Sequence, residues 1–284
     1  MSRERLTVAL GATRYRVERP WGDIPVGAGL VSDVACDARG HVFVLIRRDA
    51  YLDRDGPAVA ELAPDGTLLA AWGGAEIADG HMLAVAADGR VFVVDRDAHQ
   101  VVVFDPGGRR LGALGGRHAP GAPFNHPSGV SIAPWGDIYV ADGYGASRVH
   151  RFAADLSPIG AWGEPGQGPG RFSTPHAVWA TVDGRVLVAD RENDRVQVFD
   201  RAGGFLAAWT GHGRPMDVFS DTAGRIYVTD QVPRLTLLSP DGTLLGRCRP
   251  VLNGAHGLWG DAAGTLYLAE LSPTRLTRLV PEPQ

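Results

Sequence analysis

The chain has 284 residues, 44% hydrophobic and 21% charged, with a formal net charge of −4 and an isoelectric point near 6.1. With no run of five like charges and no basic stripe, that balance argues against nucleic acid as a partner. No stretch approaches the roughly 18 apolar residues of a membrane span, while 38 glycines and 20 prolines suit many short strands joined by turns.

The N-terminus, MSRERLTVALGATRY, holds a short apolar segment without the h-region of a signal peptide, so the cytoplasm is the expected location. Next comes a strand-like piece, TRYRVERPWG, at residues 13–22. From residue 30 a sixfold repeat begins. Its slot residues are Ser32, His81, Ser128, His176, Met216 and His256, and each has a glycine eight positions later, from Gly40 to Gly264. The slots lie 49, 47, 48, 40 and 40 residues apart. An alternating apolar run follows each glycine (HVFVLI, RVFVVD, DIYVAD, RVLVAD, RIYVTD, TLYLAE), then a polar loop and a second apolar run such as RVQVFD. A turn and a short segment often ending in Trp-Gly complete the copy, as at Trp72-Gly73 and Trp162-Gly163.

This period predicts an all-β six-bladed β-propeller with four strands per blade, the blades starting near residues 30, 80, 126, 174, 214 and 254. The sixth copy stops after LTRLV, one strand short. Residues around 13–22 are therefore expected to form the outer strand of blade six and close the ring, giving one domain over residues 1–284. Trp21, Trp72, Trp162 and Trp209 recur at strand ends and read as packing between blades. Trp135, Trp179 and Trp259 lie on or beside inner strands, as core or pocket wall. Cys36 and Cys248 form no CxxC and read as free, buried thiols.

The slot opens the innermost strand, so all six slot residues should face one mouth of the central channel. Alternate blades then bring His81, His176 and His256 together with threefold spacing. Three neutral imidazoles and an open fourth position suit a catalytic zinc or another divalent ion. The other histidines (His41, His99, His118, His126, His150, His212) break this register and read as loop or solvent residues. Fifteen residues past each slot stand Arg47, Arg96, Gly143, Arg191, Gln231 and Leu271, with Tyr144 one further on. Guanidinium groups around that mouth would bind an acid group of a small substrate. Tyr144 would act as general base. For any single arginine, pairing with a blade carboxylate such as Asp95, Asp190 or Glu192 is the plainer reading.

DGYGASRV, GEPGQGPGRFSTPHAV and VADRENDRVQVF resemble the NHL-repeat family and, within it, the peptidyl-α-hydroxyglycine α-amidating lyases. The likeness covers nearly the whole chain and is strongest over residues 124–200. It implies a six-bladed propeller with a catalytic zinc on three histidines, cleaving a carbinolamide into an amide and glyoxylate. The implied ligands are His81, His176 in STPHAV and His256 in GAHGLW. The implied catalytic residues are Tyr144 in the DGY motif, Arg191 in ADREN and, in blade one, Arg47, with Arg48 as the off-by-one alternative. Arg47, Arg191 and Arg96 would bind substrate. Gly145, Leu187 and Val198 stand where the animal lyase has cysteine, which fits a reducing setting. Gly257 replaces an aspartate that binds a structural calcium, leaving that ion doubtful here. Arg96 stands where the amidating lyase is uncharged, and no monooxygenase domain is expected to supply hydroxyglycine. A hydrolase using the same metal and a non-catalytic binding scaffold are the competing readings.

Overall fold

The computed structural model describes residues 6–27, 29–48 and 56–283; residues 1–5 of the N-terminal reading lie outside them. Six antiparallel sheets form a ring of blades. Their innermost strands are Leu30–Cys36, Gly80–Val85, Gly129–Ile132, Pro175–Ala180, Pro215–Ser220 and Ala255–Gly260. Each inner strand pairs with the second strand of its own blade, and the inner strands of adjacent blades lie side by side around the axis. Among the described residues the only helix is a 3-10 turn at Arg191–Asn193, and no helix is long and apolar enough to cross a membrane.

The second strands, such as Val91–Asp95 and Val186–Asp190, are buried along their whole length. A blade sits between two others, so both faces of its middle strands are covered. The runs VFVVD and VLVAD are therefore nearly continuous in apolar residues rather than alternating. The outer strands show the opposite pattern, with Leu68, Leu69, Leu244 and Leu245 exposed.

Closure involves the expected segment, in a shorter form and with an addition. Thr13–Glu18 pairs antiparallel with Arg275–Pro281, in the register Val17↔Leu279. Thr7–Leu10 then adds a fifth strand beyond it, which the repeat count did not anticipate because no other blade has one. This extra strand lies against the outer strand of blade five, Leu244–Cys248, and ties blades five and six at their rims.

The recurring tryptophans join neighbouring blades. The Trp72 ring lies 4.9 Å from that of Phe104 in the next blade. A Cβ at Gly108 would fall 2.4 Å from the Trp72 ring, and Gly108 has φ +81°, so glycine is required twice over. Gly203 under Trp162 and Gly242 under Trp209 repeat the device.

Candidate metal centre

His81, His176 and His256 meet at the channel axis. Their ring centroids are 4.9, 4.7 and 5.0 Å apart, and one ligand nitrogen of each lies within 4.8 Å of the other two. All three are essentially buried. Each Nδ1 donates to a backbone carbonyl in the next blade: His81 to Ser128 at 2.6 Å, His176 to Met216 at 2.6 Å and His256 to Ser32 at 2.8 Å. A carbonyl only accepts, so the proton sits on Nδ1 and the Nε2 lone pairs remain as ligands. The acceptors are the three slot residues that are not histidine. Ser32 also donates through Oγ to the His81 carbonyl, and Ser128 through Oγ to Pro175, which precedes His176.

Burial pushes the His81 and His176 imidazoles well below their ordinary pKa, and the neighbouring imidazole of His256 adds to it. Burial lowers His256 to about 4, with further pressure from Arg47, Arg191 and Arg96. Three neutral imidazoles are the form a metal ion binds, so the donor set fits a divalent ion such as zinc.

Tyr144 reaches this point from blade three. Its Oη lies 2.9 Å from His81 Nε2 and 3.1 Å from His176 Nε2, and it accepts from Arg191 Nη1 at 3.2 Å. The DGY motif has a steric basis: a Cβ at Gly143 would fall 2.2 Å from the Pro175 carbonyl, so only glycine lets the loop pass this close to the His176 strand. The guanidinium carbons of Arg96 and Arg191 each lie 5.3 Å from the Tyr144 ring centroid.

The arginines find carboxylates, though mostly not those named from sequence. Arg191 pairs with Glu192 at 2.9 Å. Arg47 and Arg96 both pair with Asp79, and Arg96 also with Asp97. Asp95 and Asp190 serve the blades themselves: Asp95 accepts from the backbone of Ala78 and Asp79, and Asp190 from Ser173 and Arg195. Arg48 donates through Nε to the Pro57 carbonyl at 3.1 Å.

Several histidines read as loop or solvent residues are buried. His150 contacts Asp142, His212 contacts Asp230, and His99 Nδ1 accepts from the His126 backbone. The acid that ends the second strand is buried in five blades and takes whatever donor lies within reach. Trp179 and Trp259, on the same inner strands as His176 and His256, pack together, while Trp135 lies under Arg201.

Asp33 and Asp217 escaped notice in the sequence, although both sit one residue past a slot in otherwise apolar strands. They line a cavity of about 20 Å³ with Trp179 and Trp259. A Cβ at Gly257 would fall 2.0 Å from Asp33 Oδ1, so Asp33 fills the space a side chain there would need. Three of the four carboxyl oxygens accept backbone N–H groups, from Leu83, Val218 and Leu258; Asp33 Oδ1 has no partner among the described residues. One spare oxygen among apolar walls does not fit calcium, which takes about six to eight oxygens. Burial instead raises both acids, Asp217 well above the ordinary range with Asp33 adding to it. An acid whose folded pKa is raised stabilises the fold at low pH. That stability is lost as pH climbs from the ordinary carboxylate pKa of about 4 through the raised value. Asp33→Asn in chelator-treated protein is therefore expected to raise the melting temperature at pH 8 by roughly 2–4 °C, for about 1 kcal/mol, and to change it little at pH 4. A fall at pH 8 would mean that the charge is used.

A profile of the NHL repeat matches residues 124–152 and 172–199. Peptidylglycine alpha-amidating monooxygenase of Rattus norvegicus is 31% identical over 212 residues, 64% of this chain and 22% of that protein. The probable peptidyl-alpha-hydroxyglycine alpha-amidating lyase pgal-1 of Caenorhabditis elegans is 38% identical over 127 residues, 42% of this chain and 36% of that protein. NHL repeat-containing protein 3 of Mus musculus is 30% identical over 306 residues, 94% of this chain and 86% of that protein. The chain thus spans about a fifth of the rat enzyme and most of the mouse protein. A gluconolactonase from Xanthomonas campestris superposes with a TM-score of 0.73, covering 98% of this chain and 94% of its own, at 18% identity. That likeness is one of fold alone.

Proposed function

The chain belongs to the NHL-repeat family, and on that premise we propose that it is a metal-dependent lyase acting on a small hydroxylated substrate with an acid group. The supporting observation is the meeting of three buried, neutral imidazoles with Tyr144 Oη at one point. His81, His176 and His256 would hold the ion, with zinc first among candidates. When bound, it supplies a Lewis acid for the oxygen on which negative charge develops. The amidating lyases among the relatives favour cleavage of a C–N bond in an α-hydroxyglycine-type acid.

Tyr144 Oη would take the proton of the substrate hydroxyl. As that oxygen becomes a carbonyl, the C–N bond breaks. Its electron pair leaves on nitrogen, which takes up a proton, so no oxidant is needed. Arg191, hydrogen-bonded to Tyr144 Oη, offsets negative charge at this oxygen. Arg47 and Arg96 bind the acid group.

The test is incubation with an N-acyl-α-hydroxyglycine in ¹⁸O-labelled water with immediate trapping of the aldehyde. Glyoxylate and amide are expected in equal amounts, unlabelled, with turnover abolished by chelation. Label in the product at a metal-dependent rate would favour hydrolysis. NHL repeat-containing protein 3, whose name carries no chemistry, keeps a scaffold reading in view; absence of both metal and turnover would favour it.

A further inference from the structure

We propose that Asp79 is a positioning residue that fixes Arg47 and Arg96 as one receptor for the substrate's acid group, leaving Arg191 to the oxygen at the histidines. This rests on the lyase reading above. In blades two, four, five and six the residue before the slot faces a buried acid on the second strand, Asp95, Asp190, Asp230 and Glu270, and the second strand of blade three ends on buried Asp142. In blade one that register position is Ile46, opposite Val31. Among the described residues blade one therefore offers Arg47 no acid at this register position, and the acid that holds it comes from blade two. Asp79 Oδ1 accepts from Arg47 Nε at 2.7 Å and Oδ2 from Arg47 Nη2 at 3.3 Å, and Oδ2 also forms an ion pair with Arg96 Nη2 at 2.8 Å.

Asp79 is itself held firmly. It is 6% exposed, its N–H donates to Asp95 Oδ1 at 2.9 Å, and its carbonyl accepts from Arg96 N at 3.0 Å. Both guanidiniums spend the same edge, Nε with Nη2, on acids: Arg47 on Asp79, Arg96 on Asp97 and Asp79. Nη1 of each has no partner among the described residues. Two positive charges against one buried negative charge leave one unit, which matches one carboxylate. Asp97 is 54% exposed and screened by water. Arg191 is committed elsewhere, through Nε to Glu192 and Nη1 to Tyr144 Oη. The chain's 28 basic residues are all arginine, so carboxylate recognition falls to guanidinium geometry.

The test is equilibrium binding of glycolate, the smallest 2-hydroxy acid, to the purified protein by calorimetry, with metal content and melting temperature recorded for each variant. Asp79→Asn and Arg96→Gln are each expected to weaken glycolate about tenfold at unchanged metal content. Arg191→Gln is expected to weaken it no more than about twofold, and Asp79→Glu to recover most of the Asp79→Asn loss. Unchanged or tighter binding in Asp79→Asn, an equal loss in Arg191→Gln, or no rescue by glutamate would overturn the assignment. If Asp79→Asn does not fold, the contrast between Arg96→Gln and Arg191→Gln decides. The readout needs no turnover, so failure of the lyase reading would appear separately, as inactivity of a protein that still binds glycolate through Arg96.

Discussion

His176→Ala is expected to empty the metal site and abolish turnover. Elemental analysis of tag-free protein should find about one divalent ion per chain in the wild type and less than about a tenth of that in the variant. The physical reason lies in how the site is closed. With His176 gone, only His81 and His256 bring Nε2 atoms to the axis, and no described cysteine or carboxylate stands within ligand reach to take its place. Two imidazoles cannot hold a catalytic ion against water as three do. The fold should survive, because the neighbouring anchor is not the histidine side chain but the backbone carbonyl of Met216, in a strand paired along its length with Ile226–Asp230. Full metal content and full turnover in the variant would end the metal-centre reading. Loss of metal with turnover intact would end only its catalytic part.

The same arrangement explains why the slots alternate. A side chain in every second slot supplies a ligand, and a backbone carbonyl in each intervening slot orients it. Serine or methionine serves equally well as the acceptor, since the carbonyl belongs to the backbone. From sequence, the histidine slots were legible because a fixed count of eight residues to a glycine put them in one frame. The carbonyl acceptors were not, because a backbone group leaves no signature in residue identity. Asp79 was equally hidden. It sits two residues before His81, outside the slot frame, and its role depends on Arg47 approaching from another blade. The closing strand was visible at residues 13–22 from a missing fourth strand in the last copy. The fifth strand at Thr7–Leu10 was not, because only contact with blade five gives it a place. Buried His150 and His212 were misread because their partners, Asp142 and Asp230, lie in the core, and only the folded ring brings the two together.

Tyr144→Phe is expected to keep the metal and lose the chemistry. The ring would stay where it is, because the guanidiniums of Arg96 and Arg191 also lie against its π system, a contact that does not need the hydroxyl. What disappears is a single oxygen, the one 2.9 Å from His81 Nε2, 3.1 Å from His176 Nε2 and 3.2 Å from Arg191 Nη1. Loss of a positioned proton acceptor costs a factor of about 10²–10⁴ in turnover. Metal content should remain that of the wild type, since the three imidazoles keep their carbonyl anchors. KM should change little, because Arg47 and Arg96 still hold the acid group, so the loss should fall on kcat. Wild-type turnover in the variant would reduce Tyr144 to a wall of the pocket. A raised KM at full kcat would assign it to binding and return the proton transfer to a group not yet identified. A fall in kcat with metal and KM unchanged would place the proton at Oη, because no other property of the side chain has been altered.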